Sequence, residues 1–218
     1  ATFSRSALGE THWRSFDAEG NPLADAWTRS NGTVGQDRYF EDGSRERTLS
    51  YSAGAVRYES VEMRSADGST HSVRQGSDGS QQVEDFDART GAVHSTGVVV
   101  RSDSRMSYDK SGSGTGDWAS LITTTYANGS SSAFSNAHSA DGTNRSGWQL
   151  ADGSAGYDVR DSSGRQIATG TVSADGRATF HGIMNENAFD RLYLDGAANG
   201  FYASMSLGSI AVLSYVSQ

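Results

Sequence analysis

Glycine-containing turn signals recur along this chain at nearly constant spacing. Seven such glycines from Gly20 to Gly91 are 11, 12 or 14 residues apart, and five from Gly129 to Gly176 are 11 to 13 residues apart. Most follow Asn or Asp, a pairing typical of tight hairpin turns. A strand of about seven residues plus a turn of about four gives this period. The sequence therefore predicts an all-β protein, an antiparallel meander of roughly seventeen short hairpin-linked strands.

The segments between the turns carry β-favouring residues that partly alternate with polar ones. In residues 156–161, Tyr157 and Val159 are expected to point to one face of the sheet, and Asp158 and Arg160 to the other. The Asn-Gly and Asp-Gly turns are expected to place both residues at positive φ, because that geometry matches the twist of a two-residue hairpin.

The number of strands limits how the sheet can be arranged, since open twisted sheets rarely exceed about ten strands. Two-sheet sandwiches or small barrels, a propeller, a single-layer or spiral sheet and an intertwined fibre all remain open. We predict two successive β-modules, residues 1–108 and 118–218, either sandwich- or barrel-like or parts of one long sheet. A Gly/Ser-rich loop or linker at 109–117 joins them, and a short helix is predicted near 184–191.

Composition narrows the classes of function. The chain has 218 residues, 18 Lys and Arg against 26 Asp and Glu, a formal net charge of −8 and no cysteine. This charge disfavours nucleic acid as a partner, and no apolar run is long enough to predict a membrane-spanning helix. A chain that starts at Ala1 is typical of signal-peptide cleavage, so we expect a secreted, extracellular protein.

No motif for catalysis is evident in the sequence. The chain lacks G-x-S-x-G and cysteine, and no two of its five histidines lie within six residues of each other. Carboxylates are too numerous for an acid–base pair to be chosen by spacing. The sequence thus assigns no catalytic residue and favours a protein that is not an enzyme.

Two segments are similar to repeats of known families. Residues 157–182 resemble the hairpin repeats of YD-repeat and MORN-like proteins in their Tyr-Asp pair and spaced glycines. Residues 113–117, SGTGD, resemble the calcium-binding repeat of RTX proteins but occur once, where that family stacks several copies. With Asp109 and Asp117 at its ends, this oxygen-rich loop is a candidate Ca²⁺ site, and a plain flexible linker is the alternative. No other cofactor is predicted.

Aromatic residues beside turns are the candidate ligand-binding residues. Trp118 follows the Gly/Ser-rich loop, Trp148 follows a glycine, and Tyr39 and Phe40 precede a turn. Aromatic rings pack against the C–H surface of sugars while neighbouring polar groups orient the hydroxyls. The alternative is that these side chains fill the core of a chain in which Ile, Leu, Val and Phe number only 34.

Three functions follow from these features. The first is a secreted, non-catalytic β-rich surface or structural protein, such as an adhesin, fibre or assembly subunit, that acts through strand edges or sheet surfaces. In this role the apolar segment 208–217 is either a core strand or a strand for a neighbouring copy. The second is a module that binds cell-surface glycans, with or without Ca²⁺. The third is a polysaccharide-acting enzyme on a β scaffold.

Overall fold

The structure, a computed structural model, describes residues 1–5 and 9–182. These ranges contain sixteen β-strands and no helix, which confirms the all-β antiparallel meander. The chain divides into two units between Val100 and Arg101. The helix predicted near 184–191 and the apolar segment 208–217 lie outside the described residues.

Unit 1 contains nine strands. They are β1 (Thr2–Arg5), β2 (Thr11–Phe16), β3 (Pro22–Thr28), β4 (Val34–Tyr39), β5 (Arg45–Ala53), β6 (Val56–Arg64), β7 (Thr70–Gly76), β8 (Gln81–Asp87) and β9 (Ala92–Val100). Each pairs antiparallel with the strand before and the strand after it within the unit.

Unit 2 contains the seven described strands that follow. They are β10 (Ser104–Gly112), β11 (Trp118–Tyr126), β12 (Ser131–His138), β13 (Asn144–Gln149), β14 (Ala155–Arg160), β15 (Gln166–Val172) and β16 (Ala178–Gly182). Their pairing is also antiparallel and in chain order. Among the alternatives left open by the sequence, this pairing fits a meander sheet in each unit rather than a sandwich or barrel. No helix in the described ranges has the length and hydropathy to cross a lipid bilayer.

Most turns in the described ranges follow one recurring design, shown by residues 65–69. The Ser65 amide donates to the Ser69 carbonyl, the Gly68 amide donates to the Ser65 carbonyl, and the Asp67 carboxylate accepts from the Ser69 amide. Gly68 has φ of 90°, and no residue other than glycine has positive φ in the described ranges. The expectation of positive φ at Asn and Asp is therefore wrong. The loop has three residues rather than two, and only its last residue needs the left-handed conformation.

The Gly/Ser-rich segment forms a shorter loop than its composition predicted. Asp109–Gly112 belongs to β10 and pairs in register with Trp118–Leu121 of β11. Only residues 113–117 form the turn, which has the same hydrogen bonds as the others: Ser113 amide to Asp117 carbonyl and Gly116 amide to Ser113 carbonyl. The segment 109–117 thus lies inside unit 2, as one of its hairpins.

Burial is modest in both units and follows strand alternation. In β14, Val159 is buried while Arg160 is exposed, and Tyr157 lies on the same face as Val159, as predicted. The buried hydrophobic residues in the described ranges are Ala155, Val159 and Ala168, all in unit 2. In unit 1 the most buried polar residues include two carboxylates, Asp25 and Asp37, which draws attention to the face on which they lie.

Candidate functional site

A row of charged residues crosses five strands on one face of unit 1. Arg14, Asp25, Asp37, Arg47 and Glu62 are successive cross-strand partners from β2 to β6, and we call them the charge row. Arg14 Nη2 donates to Asp25 Oδ2 at 2.7 Å. Arg47 holds Asp37 through two parallel bonds, Nε to Oδ1 at 2.7 Å and Nη2 to Oδ2 at 2.9 Å. Such fork-shaped pairing is among the stronger interactions available to a carboxylate.

The centre of the charge row places two carboxylates directly opposite each other. Asp25 and Asp37 expose only 6% and 4% of their surfaces. Like charges in this arrangement destabilise a sheet, so the flanking guanidinium groups are needed to offset the repulsion. The hydrogen bond to Asp25 raises the pKa of Arg14, and that to Asp37 raises the pKa of Arg47, so both stay charged. No hydrogen-bond donor of the described chain reaches Asp25 Oδ1, although His12 Nδ1 lies 3.8 Å away.

The sequence reasoning missed the charge row, although the turn positions contained the signal. Each regular hairpin is centred on the third residue of its turn, so partners are equidistant from it. Asp25 and Asp37 both lie six residues from Asn31, and Asp37 and Arg47 both lie five residues from Asp42. Counting outward from the turns would have predicted these pairs.

A second polar pair lies on the opposite face of unit 1. His71 on β7 and Asp85 on β8 are register partners, and His71 Nδ1 donates to Asp85 Oδ1 at 2.6 Å. Both side chains are about half exposed. Exposed pairs of this kind contribute at most about 1 kcal/mol. We interpret this pair as a surface contact between neighbouring strands.

The predicted aromatic residues fall into two groups. Trp118 and Trp148 lie on the same face of unit 2, on β11 and β13, because Trp118 pairs with His138 and Trp148 pairs with Phe134 of β12. Tyr39 ends β4 in unit 1, and Phe40 is the first residue of the following turn. Tyr39 is on the charge-row face, two residues from Asp37. The two tryptophans therefore share one face of unit 2, with one row of residues between them.

The two tryptophans differ in what their rings contact. The Trp148 indole lies on the backbone of Gly156, where an added Cβ would be 2.6 Å from Cζ2. Trp27 covers Gly35 in unit 1 in the same way. Trp118 instead stacks beside His138, with ring centroids 6.3 Å apart and planes inclined by 17°. It keeps 39% of its surface exposed.

The predicted calcium ligands lie in different settings. Asp109 is within β10, opposite Leu121, on the face away from Trp118. Asp117 is the last residue of the 113–117 turn, where Oδ1 accepts from the Ala140 amide and Oδ2 accepts from Thr115 Oγ1. The described residues include no group of three or more His, Asp or Glu side chains arranged to hold a metal ion. The loop thus uses the Asp117 carboxylate to bridge two turns.

These arrangements are suited to holding strands in register and to surface contacts. The two central carboxylates of the charge row are paired with Arg14 and Arg47, and Glu62 is paired with Arg45 of the next row. The indole of Trp118 is the more open of the two predicted ligand-binding residues in unit 2. The comparisons with known proteins do not identify a family for this chain. No protein-family model matches the chain, and no curated protein has a similar sequence.

Proposed function

We propose that this protein is a secreted, non-catalytic β-rich structural or surface protein that works as a subunit of an assembly. One observation carries the proposal. On the face of unit 1 opposite the charge row, one line of cross-strand partners carries two groups of three apolar side chains, separated by Gln36 and Thr48. This apolar row consists of Phe3, Trp13, Ala26, Val61, Val73 and Val83.

The apolar row is poorly covered within the chain. Phe3 exposes 69% of its surface and Val61 exposes 42%, and Trp13 is also exposed. Covering a side chain of this size stabilises an assembly by about 1.5–3 kcal/mol. Exposed apolar side chains grouped on neighbouring strands, as in each half of this row, are typical of an interaction site. A partner that covers the row would therefore gain substantial free energy.

The charges beside the apolar row favour a second copy of the same chain as that partner. Arg38 and Glu46 lie on the same face as Val61, one row away, and their Nη1 and Oε1 atoms are 3.6 Å apart. A surface with both signs of charge can pair with itself under two-fold symmetry, since each cation then meets the anion of the other copy. Face-to-face packing of two such sheets also gives the usual spacing of a sandwich, about 10 Å.

Sedimentation velocity and negative-stain electron microscopy over a range of protein concentrations test this proposal. We expect dimers or longer assemblies that shift toward monomer in Val61→Lys. The matched control is Ser60→Lys, which adds the same charge one residue away on the opposite face and should leave assembly unchanged. A wild-type monomer at the highest soluble concentration, or equal effects of the two variants, would contradict the proposal.

Glycan binding is the second candidate, favoured by the face that Trp118 and Trp148 share. Between the rows of the two tryptophans lie Ser120, Asn136 and Ser146, which are cross-strand partners on that face. Hydroxyl and amide groups between aromatic rings suit recognition of sugars. A glycan array probed with and without Ca²⁺ tests this function, and an array without binding in either condition counts against it.

A further inference from the structure

The indole of Trp118 differs from those of Trp27 and Trp148 in having one uncovered side. His138 stacks on one side of the Trp118 ring and is itself held by a 2.8 Å bond from its Nδ1 to Asn144 Oδ1. The partner of Trp118 on the other side is Gly112 of β10, which has no side chain to cover the ring.

The space above Gly112 is open. A Cβ added at this residue would meet only Asp117 O and the Trp118 Cβ, both at 3.5 Å, and no atom of the indole ring within 4 Å. The Trp27 and Trp148 rings, in contrast, lie directly on their partner glycines. The indole ring thus covers the partner glycine at Gly35 and Gly156, whereas an open slot remains above Gly112.

Polar groups lie in the turn that follows Gly112. Thr115 and Ser113 of the adjoining turn present hydroxyls that bond to each other at 2.6 Å. The bond from the Ala140 amide, and then that from Thr115, lower the pKa of Asp117, so its carboxylate is ionised at neutral pH. Lys110 lies two residues before Gly112 on the same face. One cation on the face of the slot and one anion in the adjoining turn offset each other.

We propose that Trp118 and the uncovered backbone of Gly112 form a subsite for one pyranose ring of a neutral glycan. This inference rests on the glycan-binding candidate and identifies its ligand class and its contact residues. The C–H face of the sugar packs on the free side of the indole, above Gly112. The Ser120 hydroxyl, two residues from Trp118 on the same face, is placed to orient a hydroxyl of the sugar.

Filling the slot while keeping the indole tests the proposal. The variant is Gly112→Val, whose added Cβ meets only ordinary contacts and whose residue type suits a strand. Ser111→Val is the matched control, because it places the same side chain on the opposite face of the same strand. Circular dichroism and thermal unfolding check that both variants fold like the parent chain.

The array carries neutral fragments of β-glucan, xylan, mannan and chitin together with acidic glycans, and the best neutral binder is titrated. Indole ¹H–¹⁵N resonances, assigned by Trp→Phe variants, report the contact at each tryptophan. We expect the Trp118 resonance to shift most, the affinity to fall about tenfold or more in Gly112→Val, and Ser111→Val to bind like the parent.

Four results would overturn the subsite, and they separate it from the functions proposed above. Neutral glycan binding without a Trp118 shift, or equal binding by Gly112→Val, removes the subsite and leaves glycan binding intact. Binding restricted to acidic glycans overturns the assigned ligand class. An array without any binding removes both the subsite and the glycan-binding candidate, and leaves the assembly proposal to its own test.

Discussion

Replacing Arg47 by alanine tests whether the charge row stabilises unit 1. The change removes both hydrogen bonds to Asp37 and leaves that carboxylate nearly buried, opposite the carboxylate of Asp25. Arg14 bonds Asp25, not Asp37, and it lies on β2, on the side of Asp25 away from Asp37. The substitution therefore leaves a carboxylate with little access to water beside a like charge.

The expected loss follows from the burial of the two partners. Breaking a buried ion pair by removing one partner costs about 3–5 kcal/mol. The Arg47 side chain is 34% exposed, so after its removal water can hydrate the Asp37 carboxylate in part. We therefore expect the free energy of unfolding to fall by about 2–3 kcal/mol. For a unit of this size that corresponds to a fall in Tm of about 10–20 °C. The exposed pair of Arg57 with Glu59, 3.5 Å apart, is the control, and Arg57→Ala should cost about 0.5 kcal/mol or less.

Urea unfolding, monitored through hydrogen exchange of peptides from β3 to β5, measures the change in stability of unit 1. The double variant Arg47→Ala with Asp37→Asn should recover about 1–2 kcal/mol, because a neutral amide removes both the stranded charge and the repulsion of Asp25. If Arg47→Ala costs no more than Arg57→Ala, or if the double variant is less stable than the single one, the charge row does not stabilise the sheet as argued.

Two further predictions concern packing and acid stability. Gly156→Val should destabilise unit 2 by about 2 kcal/mol or more in urea unfolding, because its Cβ would displace the Trp148 indole. Gly112→Val should leave the free energy of unfolding nearly unchanged, and equal effects of the two variants would contradict this prediction. The amide of Ser69 lowers the pKa of Asp67 from 3.8, so this carboxylate stabilises the fold above about pH 4, and that contribution is lost as the pH falls through the lower, folded-state pKa. Urea midpoints from pH 7 to pH 2 should fall below about pH 4, and less steeply in Asp67→Asn; a parallel fall would show that Asp67 does not contribute.

The regular hairpins were predictable because local chemistry determines them. An Asx side chain that accepts the amide two residues on, followed by glycine, closes a loop almost independently of the rest of the protein. The turn of Asp67 and Gly68 shows this design. The error about positive φ at Asp arose because the same dipeptide serves both two-residue and three-residue loops, and sequence alone does not distinguish them.

The features that depend on partners across strands were harder to predict. Gly/Ser composition at 109–117 suggested a loop, but Asp109–Gly112 forms a strand because residues of β11 are available to pair with it. Asp25 and Asp37 looked like ordinary polar positions, since their burial depends on arginines that are distant in sequence. Trp118 was identified from its neighbourhood, but its uncovered side results from Gly112, which only the register places beside it.

In the part of the chain that the structure describes, strands pair only with the strands next to them in sequence, and this bears on how the protein can change in evolution. Within each unit every strand meets its partner after one turn, so contacts are close in sequence and little loop entropy is lost as each hairpin forms. Such chains behave approximately as one-dimensional arrays, whose stability grows with nearest-neighbour terms. A pair of strands with its turns is then a unit of evolutionary gain or loss, by which the molecule can be lengthened or shortened while the remaining ladder keeps its register.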